Sequence, residues 1–305
     1  MTGGAGYIGS ILIPILLENG HKVTLLDIFK WGVKPILHFA SHRNLDIIKG
    51  DIRDKDIMKK IVPDHSVIMH LAAIVGYPAC ADHPNLAYSV NVSGSNNVVK
   101  FSNNNQKLIF ASTGSTYGKV DGICTEETPI SPLSLYGETK WKAEKLFLKI
   151  GGVALRFATV FGNSPRLRLD LLVNDFVFQA LHSHQIVLYE GHFRRTFLHS
   201  LDAARSYLFA LNNYSEMSGR AYNVGNNDYN YTKKEVALKI QEHVDYYLHE
   251  ADIEHDYDID ARDYEVSYDL IKNLGYKTDV DMDSGINELI KILTHITILN
   301  EWRNS

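Results

Sequence analysis

Cysteine is nearly absent from this chain: Cys80 and Cys124 are the two in 305 residues. Their spacing matches no zinc or redox motif, so the fold rests on an apolar core, and the thiols read as structural ones in a reducing compartment. Long apolar runs are lacking too. The longest, Ile11 to Leu17, is broken by Pro14, is far too short to cross a bilayer, and has no charged-then-apolar leader before it. A cytoplasmic location without membrane contact is therefore expected. Positive charge is not in surplus: 31 Lys and Arg against 36 Asp and Glu leave a formal net charge of -5. That argues against a nucleic-acid backbone as partner, while local basic residues remain available for a small anion. Repeats and low-complexity tracts are missing as well, and a hydrophobic content of 45% excludes disorder.

What is present is an alternation of strand-like and helical stretches. Apolar runs at Lys22 to Asp27, Leu45 to Ile48, Ser66 to Leu71, Lys107 to Ala111 and Val153 to Phe157 are separated by helical spacing, the rhythm of parallel βαβ units. Past Gly162 the rhythm weakens at Pro165 and a basic patch, Arg166 and Arg168, and a helix is expected over Leu169 to His182. Strand ends recur near Phe197 to Asp202 and Ala221 to Gly225, and an amphipathic helix is expected over Ile286 to Trp302. The reading is an α/β protein with a Rossmann-like, doubly wound parallel sheet and a smaller C-terminal substrate region. The cofactor domain covers 1–163 with a return segment near 193–226; the second region covers 164–192 and 227–305.

Three glycines in Thr2-Gly3-Gly4-Ala5-Gly6-Tyr7-Ile8-Gly9 have the spacing of a turn on which a dinucleotide pyrophosphate rests at a helix N-terminus. The helix half is supported by Ile8, Ile11, Leu12, Ile15 and Leu16, with Gly20 as a stop, although Pro14 removes one backbone bond. Only Met1 and Thr2 precede the turn, so the first strand reads as truncated. Asp27 ends the next strand about where an acid bonds the adenosine ribose of NAD; no arginine follows it directly and Lys30 is three residues on, which favours NAD over NADP. In Tyr136-Gly137-Glu138-Thr139-Lys140 the tyrosine and lysine share a helix face. An ammonium there stabilises phenolate and brings tyrosine toward the range of a general base, though the same spacing also describes an idle surface pair.

Taken in order, these motifs resemble the extended short-chain dehydrogenase/reductase family, the NAD-dependent nucleotide-sugar epimerases and dehydratases such as UDP-glucose 4-epimerase. The resemblance runs almost end to end. Gly3, Gly6 and Gly9 match its glycine turn, with Tyr7 and Ile8 inside it; Gly50-Asp51-Ile52 matches its adenine-side motif. His70-Leu71-Ala72-Ala73 matches a strand end, Asn91 and Gly94 its Asn-x-x-Gly helix, and Ser112 through Gly118 the strand that carries its catalytic hydroxyl, here Thr113. The resemblance implies that NAD is bound by Gly3, Gly6, Tyr7, Ile8, Gly9, Asp27, Asp51, Ile52, Leu71, Ala72, Ala73, Asn91, Tyr136 and Lys140. It further implies that Thr113 orients the substrate hydroxyl, Tyr136 shuttles its proton, and Lys140 holds the nicotinamide ribose. Residue by residue alternatives stay open: Asp51 also suits a turn before Arg53, and Asn91 a helix residue bonded to nearby backbone.

Departures from the family sharpen the expected chemistry. Dehydratases of this kind carry an acid just after the catalytic Thr, where this chain has Gly114 and Ser115; neither can protonate a leaving hydroxyl. Epimerisation at C4 through a transient 4-keto sugar is expected. The alternatives are a nucleotide-sugar 4-dehydrogenase and a catalytically idle NAD-binding scaffold. Thr159 stands where the family usually has Asn, which suggests a different sugar. The resemblance makes Asn174, Arg195 and Arg262 substrate contacts, the arginines facing the diphosphate, with Thr113 at the sugar. It also implies a homodimer through the helices of Tyr136 and Asn91, and the Ser164 to Asp170 stretch suggests GDP- or CDP-linked sugars of surface polysaccharides. No metal is expected: Asp256 to Asp260 starts like a calcium loop but has Ala261 where Gly is needed, and His182, His184 and His192 lack ligand spacing.

Overall fold

The computed structural model describes residues 1–120, 122–251, 264–296 and 303–304. Its strands, in chain order, are β1 (Val23–Asp27), β2 (Leu45–Lys49), β3 (Val67–His70), β4 (Lys107–Thr113), β5 (Ile123–Cys124), β6 (Val153–Phe157) and β7 (Thr159–Phe161). They continue as β8 (Gln185–Tyr189), β9 (Arg194–His199), β10 (Ala221–Val224), β11 (Asn230–Thr232), β12 (Tyr247–Ala251) and β13 (Glu265–Val266). The helices are α1 (Gly9–Glu18), α2 (Lys55–Ile61), α3 (Tyr77–Asp82), α4 (Pro84–Tyr88), α5 (Ser95–Phe101) and α6 (Leu135–Lys149). After them come α7 (Leu172–Ser183), α8 (Ser200–Asn212), α9 (Tyr214–Met217), α10 (Lys233–Gln241), α11 (Asp269–Asn273) and α12 (Met282–Leu293).

The main sheet is parallel. β2 pairs with β1, and the order β3-β4-β6-β10 forms the other half. Met1 to Gly3 join the halves: Leu26 N donates to the Met1 carbonyl at 2.9 Å and Gly3 N to that of Leu26 at 2.9 Å, while Leu71 N donates to the Thr2 carbonyl at 3.1 Å. Thr2 thus bridges in parallel to both Leu26 of β1 and His70 of β3. The Met1 amine is buried against the Thr24 carbonyl at 2.8 Å, and burial pushes its pKa down to about 5.

Both faces of the sheet are covered, which is why its central strands read as continuous apolar runs. On β4 the pleat sends Ile109 to one side and Leu108 and Phe110 to the other. Ile109 belongs to the cluster that holds Leu12, Ile13 and Leu16 of α1 with Ala203 and Tyr207 of α8; Phe110 belongs to the one that holds Val98 of α5 and stacks on Phe147 of α6. His70 is buried under Phe147, its ring centroid 5.4 Å away. It accepts from the Thr2 hydroxyl at 2.6 Å and donates to Ser95 Oγ at 2.9 Å, while burial pushes its pKa down to about 3, so it is a neutral link in the core.

A second apolar cluster gathers Phe161, Val177, Ile186, Phe197, Ile240, Ile286 and Leu289 from α7, α10, α12 and short strands. There β7 pairs with β9, β9 with β11 and β8 with β12. The chain returns to the main sheet through β10. Two helix starts differ from the sequence reading. α7 begins at Leu172 because the Arg168–Asp170 ion pair, 2.6 Å, and a bond from Asn174 Nδ2 to the Arg168 carbonyl hold the preceding residues out of the helix. α12 begins at Met282, where Asp281 caps Ser284 N at 2.7 Å. Among the described residues no helix is long and apolar enough to cross a membrane.

Candidate functional site

A cleft of about 450 Å³ opens at the C-terminal ends of the main-sheet strands, where ligands of such sheets bind. Gly3, Gly6, Tyr7, Ile8 and Gly9 line it at the N-terminus of α1. Gly3 has a φ of 72°, and a Cβ on it would stand 2.5 Å from Ala72 N; on Gly9 it would stand 2.5 Å from the Gly4 Cα. The turn therefore exists only without side chains, and its bare backbone faces the cavity. Asp27 closes β1 with both carboxylate oxygens aligned, one accepting from Ala5 N at 3.0 Å and one from Phe29 N at 2.8 Å. Burial pushes its pKa up, and those bonds oppose the shift. A helix N-terminus, a cradle that a Cβ would fill and an acid beside it suit a dinucleotide's pyrophosphate and ribose.

Asp51, Ile52, Leu71, Ala72 and Ala73 line the same cleft. Asp51 also makes a turn: it accepts from Arg53 N at 2.8 Å and pairs with its guanidinium at 2.6 Å, which holds its carboxyl below the usual range. Asn91 does not line the cleft. It is buried in a π-helical turn, Ser89–Gly94, accepting from Ile74 N at 2.8 Å and donating to Thr139 Oγ1 at 3.1 Å. It ties the cleft wall to α6.

Thr113, Tyr136 and Lys140 all line the cleft. Ser134 caps α6 through Gly137 N at 3.2 Å, and Gly137 lets the helix approach so closely that a Cβ would lie 2.6 Å from the Ser115 carbonyl oxygen. Tyr136 is half-buried and Lys140 3% exposed. The ammonium lies 4.2 Å from the Phe110 ring centroid, and burial pushes its pKa down to about 7, against a smaller upward pull from Glu144. The Thr113 hydroxyl donates to Ser115 Oγ at 3.1 Å. Gly114 and Ser115 are both in the wall, so no carboxyl follows the threonine.

The return segment contributes Arg195 and Thr196 of β9, and the second region Arg166, Arg168 and Tyr264. Arg195 is 8% exposed and bonds the Arg194 carbonyl at 2.9 Å. Asn174 is buried away from the cleft, bonded to Gly162 N at 2.9 Å and to the Arg168 carbonyl at 2.9 Å, so it shapes the wall from behind. Arg262 and the Asp256 to Asp260 stretch lie outside the described residues. Sequence reasoning did not assign Arg166, Arg168, Trp31 or Tyr264 to the site. The two arginines stand two residues apart in a basic patch, which was a readable signal. Arg166 stacks 4.2 Å from the Trp31 ring centroid and bonds Asn304 Oδ1 at 2.8 Å; nothing local in the sequence marks Trp31 or Tyr264.

The family model described as NAD dependent epimerase/dehydratase matches residues 1–225. A Methanocaldococcus jannaschii protein provisionally named UDP-glucose 4-epimerase is 29% identical over 95% of this chain and 96% of its own. A UDP-N-acetyl-alpha-D-glucosaminuronate decarboxylase of Bacillus cytotoxicus is 31% identical over 75% of this chain and 74% of its own. Among solved structures, the UDP-glucose 4-epimerase of Thermotoga maritima with UDP-glucose superposes with a TM-score of 0.82 at 24% identity, covering 95% of this chain and 96% of that one.

Proposed function

The chain belongs to the NAD-dependent epimerase/dehydratase family, and from that premise we propose that it is a nucleotide-sugar 4-epimerase working through a transient 4-keto sugar. The observation that carries this reading is the wall around Thr113, which joins a tyrosine and a buried lysine but places Gly114 and Ser115 where elimination needs an acid. In this reading residues 1–163, with the return near 193–226, hold NAD, and 164–192 with 227–305 hold the nucleotide sugar. A homodimer through the helices of Tyr136 and Asn91 belongs to the same reading.

Gly3, Gly6 and Gly9 would receive the NAD pyrophosphate, Asp27 the adenosine ribose, and Lys140 the nicotinamide ribose. When bound, NAD supplies a hydride acceptor at C4 that later serves as donor. Thr113 orients the C4 hydroxyl and Tyr136 takes its proton, with the Lys140 ammonium favouring the phenolate. Tyr136 returns that proton after the keto sugar has turned over in the cleft. Arg195 and, by the family resemblance, Arg262 would hold the diphosphate.

The test is incubation with a panel of nucleotide sugars, with products read by NMR and the NADH absorbance band followed in parallel. Epimer formation without NADH build-up is expected, and Tyr136→Phe should cut turnover by about 10²- to 10⁴-fold while NAD still binds. Undiminished turnover in Tyr136→Phe removes the mechanism; stoichiometric NADH and a released keto product replace it with net oxidation.

A further inference from the structure

Behind the cleft lies a buried ion pair that the mechanism above does not use. Glu144, 1% exposed, stands on α6 one turn beyond Lys140; Arg156, 6% exposed, stands on β6. Their closest approach is 2.6 Å, with a further bond from Nε at 3.1 Å. The remaining guanidinium nitrogen, Nη1, donates to Tyr117 Oη at 2.9 Å and the Glu126 carbonyl at 3.3 Å. The other tie of Glu144 is to Ser112, whose hydroxyl donates to Oε2 at 2.5 Å. Ser112 directly precedes Thr113 on β4.

Such a pair is a poor device for stability alone. Withdrawing two charges from water costs several kcal/mol, and well-packed apolar residues often stabilise a core as well or better. Its placement is what distinguishes it: one carboxylate grips the strand of Thr113, the next strand of the sheet, and the helix of Tyr136 and Lys140. Other titratable groups coupled to Lys140 are His70 from β3 and Cys80 from α3, and Tyr136 of its own helix lines the same cleft. His70 is neutral and burial pushes the Cys80 thiol up to about 11, so neither supplies a negative charge near neutral pH.

We propose that Glu144 is a positioning residue for the reaction, locking the helix of Tyr136 and Lys140 to the strand of Thr113 and keeping a fixed anion one turn from the Lys140 ammonium. The inference rests on the epimerase reading for its effect on turnover, and on geometry alone for its effect on Lys140. Arg156 orients the carboxylate, and Ser112 transmits its position to the catalytic threonine.

The experiment compares the full chain with Glu144→Gln, with Glu144→Gln combined with Arg156→Met, and with Ser112→Ala. The double variant removes both buried charges, so a folding failure caused by an unpaired guanidinium does not end the test. The first readout is the Lys140 Cε resonance in ¹³C-lysine-labelled protein, assigned with Lys140→Arg and titrated without substrate. Loss of Glu144 should lower the midpoint by about 1 pH unit, whereas Ser112→Ala should leave it in place. The second readout is kcat against pH: the alkaline limb should move to lower pH with Glu144→Gln, and Ser112→Ala should lower kcat about tenfold with KM little changed. An unchanged Lys140 midpoint in both Glu144 variants overturns the proposal, as does a kcat profile that is merely scaled down. If no nucleotide sugar turns over at all, the epimerase reading fails while the Lys140 midpoint still decides the role of Glu144.

Discussion

Replacing Lys140 by methionine should make the ligand-free protein more stable while destroying its activity. Above the ordinary lysine value of 10.5, folded and unfolded chains both carry a neutral amine and the group contributes nothing. Between that value and about 7 the unfolded chain binds a proton that the folded chain refuses, so stability falls as pH is lowered through this window. At about 1.4 kcal/mol per pH unit the full penalty is about 5 kcal/mol, reached below pH 7; it is about 4 kcal/mol at pH 7 and about 3 kcal/mol at pH 8.5. Methionine matches the length of the stem, keeps contact with Phe110 and carries no charge to desolvate, and Arg156 still pairs with Glu144. Urea denaturation of both proteins at pH 7, 8.5 and 10 measures the difference. The gain should be largest at pH 7 and nearly gone above pH 10. A gain that is the same at every pH would assign the effect to apolar packing instead, and no gain at pH 7 would refute the claim that this cation is held at a cost.

Gly9→Ala would force its Cβ to within 2.5 Å of the Gly4 Cα and 2.7 Å of the Gly3 carbonyl oxygen; since these are backbone atoms, the turn must open. The expected result is a lower thermal midpoint, from a cost of about 1–3 kcal/mol, and at least about tenfold weaker NAD binding by calorimetry, with wild-type affinity counting against the turn as the pyrophosphate seat. Arg195→Ala should raise KM for a nucleotide sugar by about 10- to 100-fold with kcat nearly unchanged, as expected for a charge-assisted bond made equally in ground and transition states. Steady-state kinetics checks this, and an intact KM would remove Arg195 from the substrate contacts.

The parts of this molecule that were legible in its sequence are those that repeat with the period of one element. The i and i+4 spacing of Tyr136 and Lys140 puts both in the cleft, and β6 has the bounds its apolar run suggested. Asn91 and Asn174 show where such reading stops. An amide carries donors and acceptors together, and here both residues spend them mainly on backbone: Ile74 for one, beside the Thr139 hydroxyl, and Gly162 and Arg168 for the other. Only the fold reveals which carbonyl lies within reach. Helix starts follow caps and ion pairs rather than periodicity, as Asp281 and the Arg168–Asp170 pair demonstrate. Glu144 was hidden for a different reason. Its partners Ser112 and Arg156 lie 32 and 12 residues away, and what brings them together is the parallel pairing of β4 with β6 under α6.

Net charge needs the same correction from chain to site. A formal -5 argues against an extended polyanion, yet among the described residues the cleft wall carries Lys30, Arg53, Lys140, Arg166, Arg168 and Arg195 against Asp27 and Asp51. Arg53 pairs with Asp51 and Arg168 with Asp170, and among the described residues the wall still holds more cationic side chains than carboxylates. Charges on the outer surface are screened over about 8 Å at physiological salt, whereas a concave wall of low dielectric focuses its own field. A ligand small enough to enter therefore meets the cleft's charge and not the chain's. A diphosphate suits that setting because guanidinium forks bond its oxygens directly and its charge offsets the burial of the cations that line the wall.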